Sequence, residues 1–141
     1  MVNAYDEIIK NGQDNPYKGR ARLSKGLCLA IGGDQAGAQK ELEGVIQDNP
    51  EDVFITLHAR FELAHIFENQ KDYDQAVKLY MMVALLYKDP EYSPKALIQA
   101  GAVFQDLNNP KEALNVYQQV LSDYPQSPLA SEARKFIETI Q

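Results

Sequence analysis

ARFELAHIFENQKDYDQAVKLYMMVALLYKDP, residues 59–90, holds two apolar-periodic stretches around a short polar turn, the pattern of a helical hairpin. Two other segments repeat it, ARLSKGLCLAIGGDQAGAQKELEGVIQDNP at 21–50 and ALIQAGAVFQDLNNPKEALNVYQQVLSDYP at 96–125. A small residue of the first helix recurs as Gly26, Ala64 and Gly101, and one of the second as Ala38, Ala76 and Ala113, at spacings of 38 and 37 residues. A large residue follows four positions after each alanine (Leu42, Tyr80, Tyr117), a valine three further on (Val45, Val83, Val120), and each copy closes on Pro50, Pro90 or Pro125. Small side chains let the helices of one hairpin approach closely, and bulky ones fill the space toward the next hairpin. A period of this length therefore predicts an all-α stack of antiparallel helix pairs, about eight helices in all.

The turns GGD (32–34), QKD (70–72) and NNP (108–110) separate the paired helices, and Ser93-Pro94 and Ser127-Pro128 read as N-cap followed by first-turn proline. The second pair is lengthened, since Pro50 stands 14 residues before Ala64 whereas Pro16 stands 10 before Gly26. Longer helices or a longer loop would both account for it. Residues 3–16 align with the second helix of a repeat, so the chain is expected to open in mid-repeat and to form part of a longer repeat protein. Residues 127–141 predict a capping helix with Ala130, Ala133, Ile137 and Ile140 on one face.

This pattern of small residue, aromatic, second alanine and closing proline resembles the tetratricopeptide repeat family and covers nearly the whole chain. The family's tryptophan is missing throughout, and Lys25 stands where the first repeat should carry leucine. The resemblance implies a right-handed α-solenoid forming a single domain over 1–141: a partial repeat at 3–16, repeats at 19–52, 53–91 and 93–126, and a cap at 127–141. The lengthened repeats and the SPKA and YPQSPLASEARKF endings further resemble bacterial envelope members such as the Tol-Pal cell-division coordinator and the outer-membrane-assembly lipoprotein, which would place the chain in the periplasm; otherwise it is expected in the cytoplasm.

The family's function is protein recognition, and its first helices line a concave groove. Carried over, the groove positions are Leu23, Leu27 and Ile31; His58, Phe61 and His65; Lys95, Ile98 and Ala102. Such a groove suits an amphipathic helix or extended segment of a partner protein. The family's carboxylate clamp needs lysine and asparagine where this chain has Leu23, Leu27, Phe61 and His65, so a chaperone-tail adaptor is not expected.

The stretch 76–87, AVKLYMMVALLY, is apolar at every position but Lys78. Repeat packing explains Ala76, Tyr80, Val83, Ala84 and Tyr87, but leaves Met81, Met82 and Leu85 facing outward beside Lys78. Two readings stand: a convex interface for a partner or for a second copy of the chain, making an assembly module, or a curved stack that folds over these side chains.

No enzyme is expected. The 141 residues contain no phosphate-binding loop and no nucleophile with a partnering base. His58, Glu62 and His65 share one helix face with Glu-x-x-His spacing, yet no second such motif completes a two-metal site, so neither metal nor cofactor is expected. Cys28 reads as a buried structural thiol. A net charge of −6 disfavours nucleic acid and anionic membranes and favours a basic or polar partner. No apolar run reaches the roughly 18 residues that a membrane helix needs.

Overall fold

The computed structural model describes residues 17–141, and the helix expected over 3–16 lies outside them. The described residues form α1 (Lys18–Ile31), α2 (Gln35–Asp48), α3 (Val53–Asn69), α4 (Tyr73–Met82) continued by a π-helical turn (Val83–Tyr87), α5 (Tyr92–Asp106), α6 (Pro110–Asp123) and α7 (Leu129–Ile140). No strand occurs among them. The chain divides inside α3 into one compact unit ending at Ile66 and another beginning at Phe67. The lengthening of the second pair is helical, because α3 has 17 residues against 14 in α1 and 15 in α5.

The hairpin turns share one geometry built from different residues. Gly33, Lys71 and Asn108 take left-handed φ values of 93°, 63° and 61°. The next amide reaches back to close the preceding helix: Asp34 N to Leu29 O, Asp72 N to Phe67 O and Asn109 N to Phe104 O, at 2.8–2.9 Å. This satisfies carbonyls that a helix end would otherwise leave open. The same residue then starts the next helix, since the Asp34, Asp72 and Asn109 side chains accept from the amides of Gly37, Gln75 and Glu112.

In the first unit α1 and α2 pack through the small-to-large pairing read from the sequence. A Cβ on Gly26 would lie 2.8 Å from Leu42 Cδ2, so only glycine allows this approach. Leu42, Val45, Ile55 and Ile66 are buried at 0–2% exposure. On the outer side Arg22 bridges the two helices, its Nε 3.0 Å from Glu41 and its Nη1 2.6 Å from Asp48.

The second unit applies the same rule more tightly. The Tyr117 ring of α6 lies directly against Gly101 of α5, where any side chain would collide with it. That ring also stacks on Phe136 of α7, at 5.0 Å between centroids and 19°. Ala130 and Ala133 let α7 approach closely.

The passage from α4 to α5 departs from the expected pattern. The π turn ends at Lys88, itself left-handed at φ 48°. Ser93 does not cap α5; its hydroxyl accepts from Asp89 N at 2.8 Å and donates to Val83 O at 3.0 Å. The cap is the Asp89 carboxylate, which accepts from the amides of Glu91 and Tyr92, so the helix starts earlier than the Ser-Pro pair suggested. At α7 the hydroxyl of Ser127 does accept from an amide of the first turn, that of Leu129.

Candidate functional site

α3 is apolar on most of its circumference, with Ile55, Leu57, Ala59, Leu63, Ala64 and Ile66 buried. The remaining face carries Phe54, His58, Phe61 and His65, spaced i, i+4, i+7 and i+11, which aligns them in one row. Phe54 and His58 lie 4.4 Å apart between ring centroids, and Phe61 and His65 lie 4.9 Å apart edge to face. Phe54 is 46% exposed, and the other three are half-buried. From α1, the guanidinium of Arg20 stands 4.3 Å over the Phe54 ring, a cation–π arrangement that leaves its exposed face available.

Local charge here opposes that of the whole chain. α1 carries Lys18, Arg20, Arg22 and Lys25 and no acidic residue. Glu41 and Asp48 of α2 engage Arg22, and Glu41 also lies 3.8 Å from Lys25, whereas Arg20 is turned to the aromatic row. The face presents the Arg20 cation beside aromatic rings and also carries Glu62, on the helix face of His58 and His65, so both signs of charge occur there.

Of the predicted groove residues in this unit, His58, Phe61 and His65 fall together in the row. Leu27 is half-buried, Ile31 is 88% exposed, and Leu23 is buried at 3% in the hairpin core, where a ligand would find little of it. Lys95, Ile98 and Ala102 stand on α5 in the second unit. There Lys95 pairs with Glu91 at 3.1 Å and lies over the Tyr92 ring, Ile98 is 9% exposed, and Ala102 is half-buried. Sequence reading missed Phe54 and Arg20. Phe54 was open to it, lying one helical turn before His58; Arg20 was not, because its place over Phe54 depends on how α1 meets α3.

On α4, Ala76, Tyr80, Val83 and Ala84 are buried as repeat packing requires. Met81 and Met82 are half-buried, while Leu85 and the unforeseen Leu86 are 50% and 68% exposed. Cys28 is half-buried, not enclosed as expected. Among the described residues no three His, Cys, Asp or Glu side chains converge as a metal site would need, and no helix is long and apolar enough to cross a membrane.

Antiparallel helix pairs repeating every 37–38 residues, with shared turn geometry and a small-to-large core, define a helical repeat protein. The chain matches the model of the tetratricopeptide repeat-like domain over residues 1–139 and belongs to that family. A tetratricopeptide repeat protein from Parabacteroides merdae has the same fold, with a TM-score of 0.78 at 15% identity, covering 99% of this chain and 52% of that one. The structure of MamA is similar as well, with a TM-score of 0.70 at 16% identity, covering 99% of this chain and 84% of that one. This chain thus spans about half the length of the Parabacteroides protein. No curated protein matches it. Domains of this family generally mediate protein–protein interaction, and the fold is typically a scaffold without catalytic activity.

Proposed function

We propose that this domain recognises a partner protein through the α1–α3 face of its first unit, holding an apolar segment that carries carboxylates. The observation that carries this reading is the row Phe54, His58, Phe61 and His65 with Arg20 laid over its first ring. Half-buried rings on a helix packed from behind are already ordered, so binding costs little side-chain entropy on the domain's side. Aromatic and arginine side chains supply most of the hot-spot energy at interfaces. An acidic residue of the ligand would meet Arg20 while its apolar neighbours lie along the rings. The lengthened repeats support the finer reading that the domain serves in the bacterial envelope.

A peptide library selected against the full chain tests the proposal. Enriched sequences are expected to combine Asp or Glu with Leu, Ile or Phe. Phe61→Ala is expected to weaken the selected peptide by about 2 kcal/mol, near thirtyfold, and Arg20→Glu to weaken acidic peptides more than their Asn or Gln analogues. Full affinity in both variants would refute the assignment to this face.

A further inference from the structure

We propose that the α1–α3 face selects a partner segment carrying both signs of charge in a fixed order, with an acidic residue at the Arg20 end and a basic residue at Glu62. This rests on the peptide-binding role proposed for that face, and adds the ligand's second charge and its direction.

Glu62 stands one turn after His58 and one turn before His65, on the flank of the aromatic row, and is half-buried. Its carboxylate has no hydrogen bond or ion pair among the described residues. Other acids of this unit are engaged locally. Asp34 and Asp52 cap α2 and α3, Glu41 and Asp48 hold Arg22, and Glu43 accepts from Gln39. A half-buried carboxylate has already given up part of its water, so a ligand cation gains a charge-assisted hydrogen bond that is less screened than one on an open surface.

Arg20 is the cation at the other end. Its guanidinium lies over Phe54 and pairs with no carboxylate among the described residues. The remaining cations of this unit point elsewhere. Lys18 and Arg22 each stand two residues from Arg20, roughly opposite it on α1, and Arg22 and Lys25 are drawn to Glu41. Arg60 stands two residues before Glu62, roughly opposite it on α3. Near the Arg20 end, Glu51 is exposed in the turn before α3, where water and salt screen it. Beyond His65, Glu68 accepts the Tyr80 hydroxyl.

Phe54, which marks the Arg20 end, and Glu62 are eight residues apart, about 12 Å along α3. An extended ligand covers that distance in about four residues and a helical one in about eight. Bound in the opposite direction, the ligand would bring its acid to Glu62 and its base to Arg20, with like charges meeting at both ends. The repulsion excludes that direction.

Peptides selected against the full chain test the proposal. They are expected to carry Lys or Arg at one fixed offset from the acid, in one order only. Exchanging acid and base within a selected peptide should weaken its binding to wild type about tenfold. Glu62→Gln should weaken the selected peptide about fivefold and leave unchanged its analogue with Gln in place of the basic residue. The double variant Arg20→Glu with Glu62→Lys should prefer the exchanged peptide, with unchanged helical circular dichroism. A peptide that loses affinity in Phe61→Ala but is indifferent to Glu62→Gln would leave the face as the binding site and overturn the charge order. Equal binding of the selected and exchanged peptides by wild type would overturn it too. Indifference to Phe61→Ala would remove the underlying reading, and this one with it.

Discussion

Tyr80 and Tyr117 occupy equivalent positions of successive repeats, both fully buried, yet their hydroxyls are treated differently. Tyr80 donates to Glu68 at 2.7 Å, whereas the Tyr117 hydroxyl has no partner among the described residues. The residue matching Glu68 is Gln105, which is exposed and makes no such bond. Burial, and secondarily the charge of Asp106, raises the Tyr117 phenol above its ordinary value of 10.0. The neutral form is thus favoured in the fold. Its stability is complete below pH 10, where the unfolded chain is also neutral, and is lost as pH rises toward the higher folded value. Tyr117→Phe is therefore expected to unfold less readily than wild type above pH 10, and at neutral pH to be neutral or up to about 1 kcal/mol more stable, since a buried unpaired hydroxyl is removed. Tyr80→Phe should lose about 1 kcal/mol. Urea midpoints at pH 7 and 10.5 check both, and a Tyr117→Phe midpoint falling with pH as steeply as wild type would contradict the account. At this scale the small and large core positions were legible in the repeat. The partner of a buried hydroxyl was not, because it turns on one side chain of an adjacent helix turn.

The hairpin turns show what an element requires and how loosely sequence meets it. All three need one left-handed residue, which glycine supplies freely at 33, asparagine with little strain at 108, and lysine at a cost at 71. Lys71→Gly is expected to stabilise the second unit by about 0.5–1 kcal/mol, the relief of backbone strain less the added freedom of the unfolded chain. The reverse change at the first turn, Gly33→Lys, should cost a similar amount despite open space around that position. Urea midpoints decide, and a lower midpoint for Lys71→Gly would mean that the lysine side chain contributes more than the strain it carries. GGD and NNP announced these turns through glycine and asparagine, while QKD was placed only by alignment with them. The π turn was invisible. AVKLYMMVALLY is apolar on both faces, so hydrophobic periodicity could not mark where the register slips, and the bond from the Ser93 hydroxyl to Val83 O joins residues ten apart. The Ser-Pro signal misplaced the start of α5 for a related reason: Asp89 had two amides within reach before Ser93 was needed.

For the whole molecule the decisive property is that a repeat chain is stabilised by each hairpin and its neighbours, with no core common to all. The family, the helix pairs and their period were legible because that logic is written in every copy. The proposed binding surface was only half legible: the row on α3 follows from helical spacing, but the placement of Arg20 over Phe54 comes from packing between helices. The same logic makes stability regional. Gly101→Ala would usually gain helix propensity, yet here the added methyl meets the Tyr117 ring, which is buried and stacked on Phe136, so a net loss of about 1–3 kcal/mol is expected. Native-state hydrogen exchange should register that loss in amides of α5, α6 and α7 and leave those of α1 and α2 at wild-type protection, because the substitution lies in the second unit and the chain divides inside α3. Equal loss of protection in α1 and α2 would show that α3, a continuous helix shared by the two units, couples them into one cooperative block.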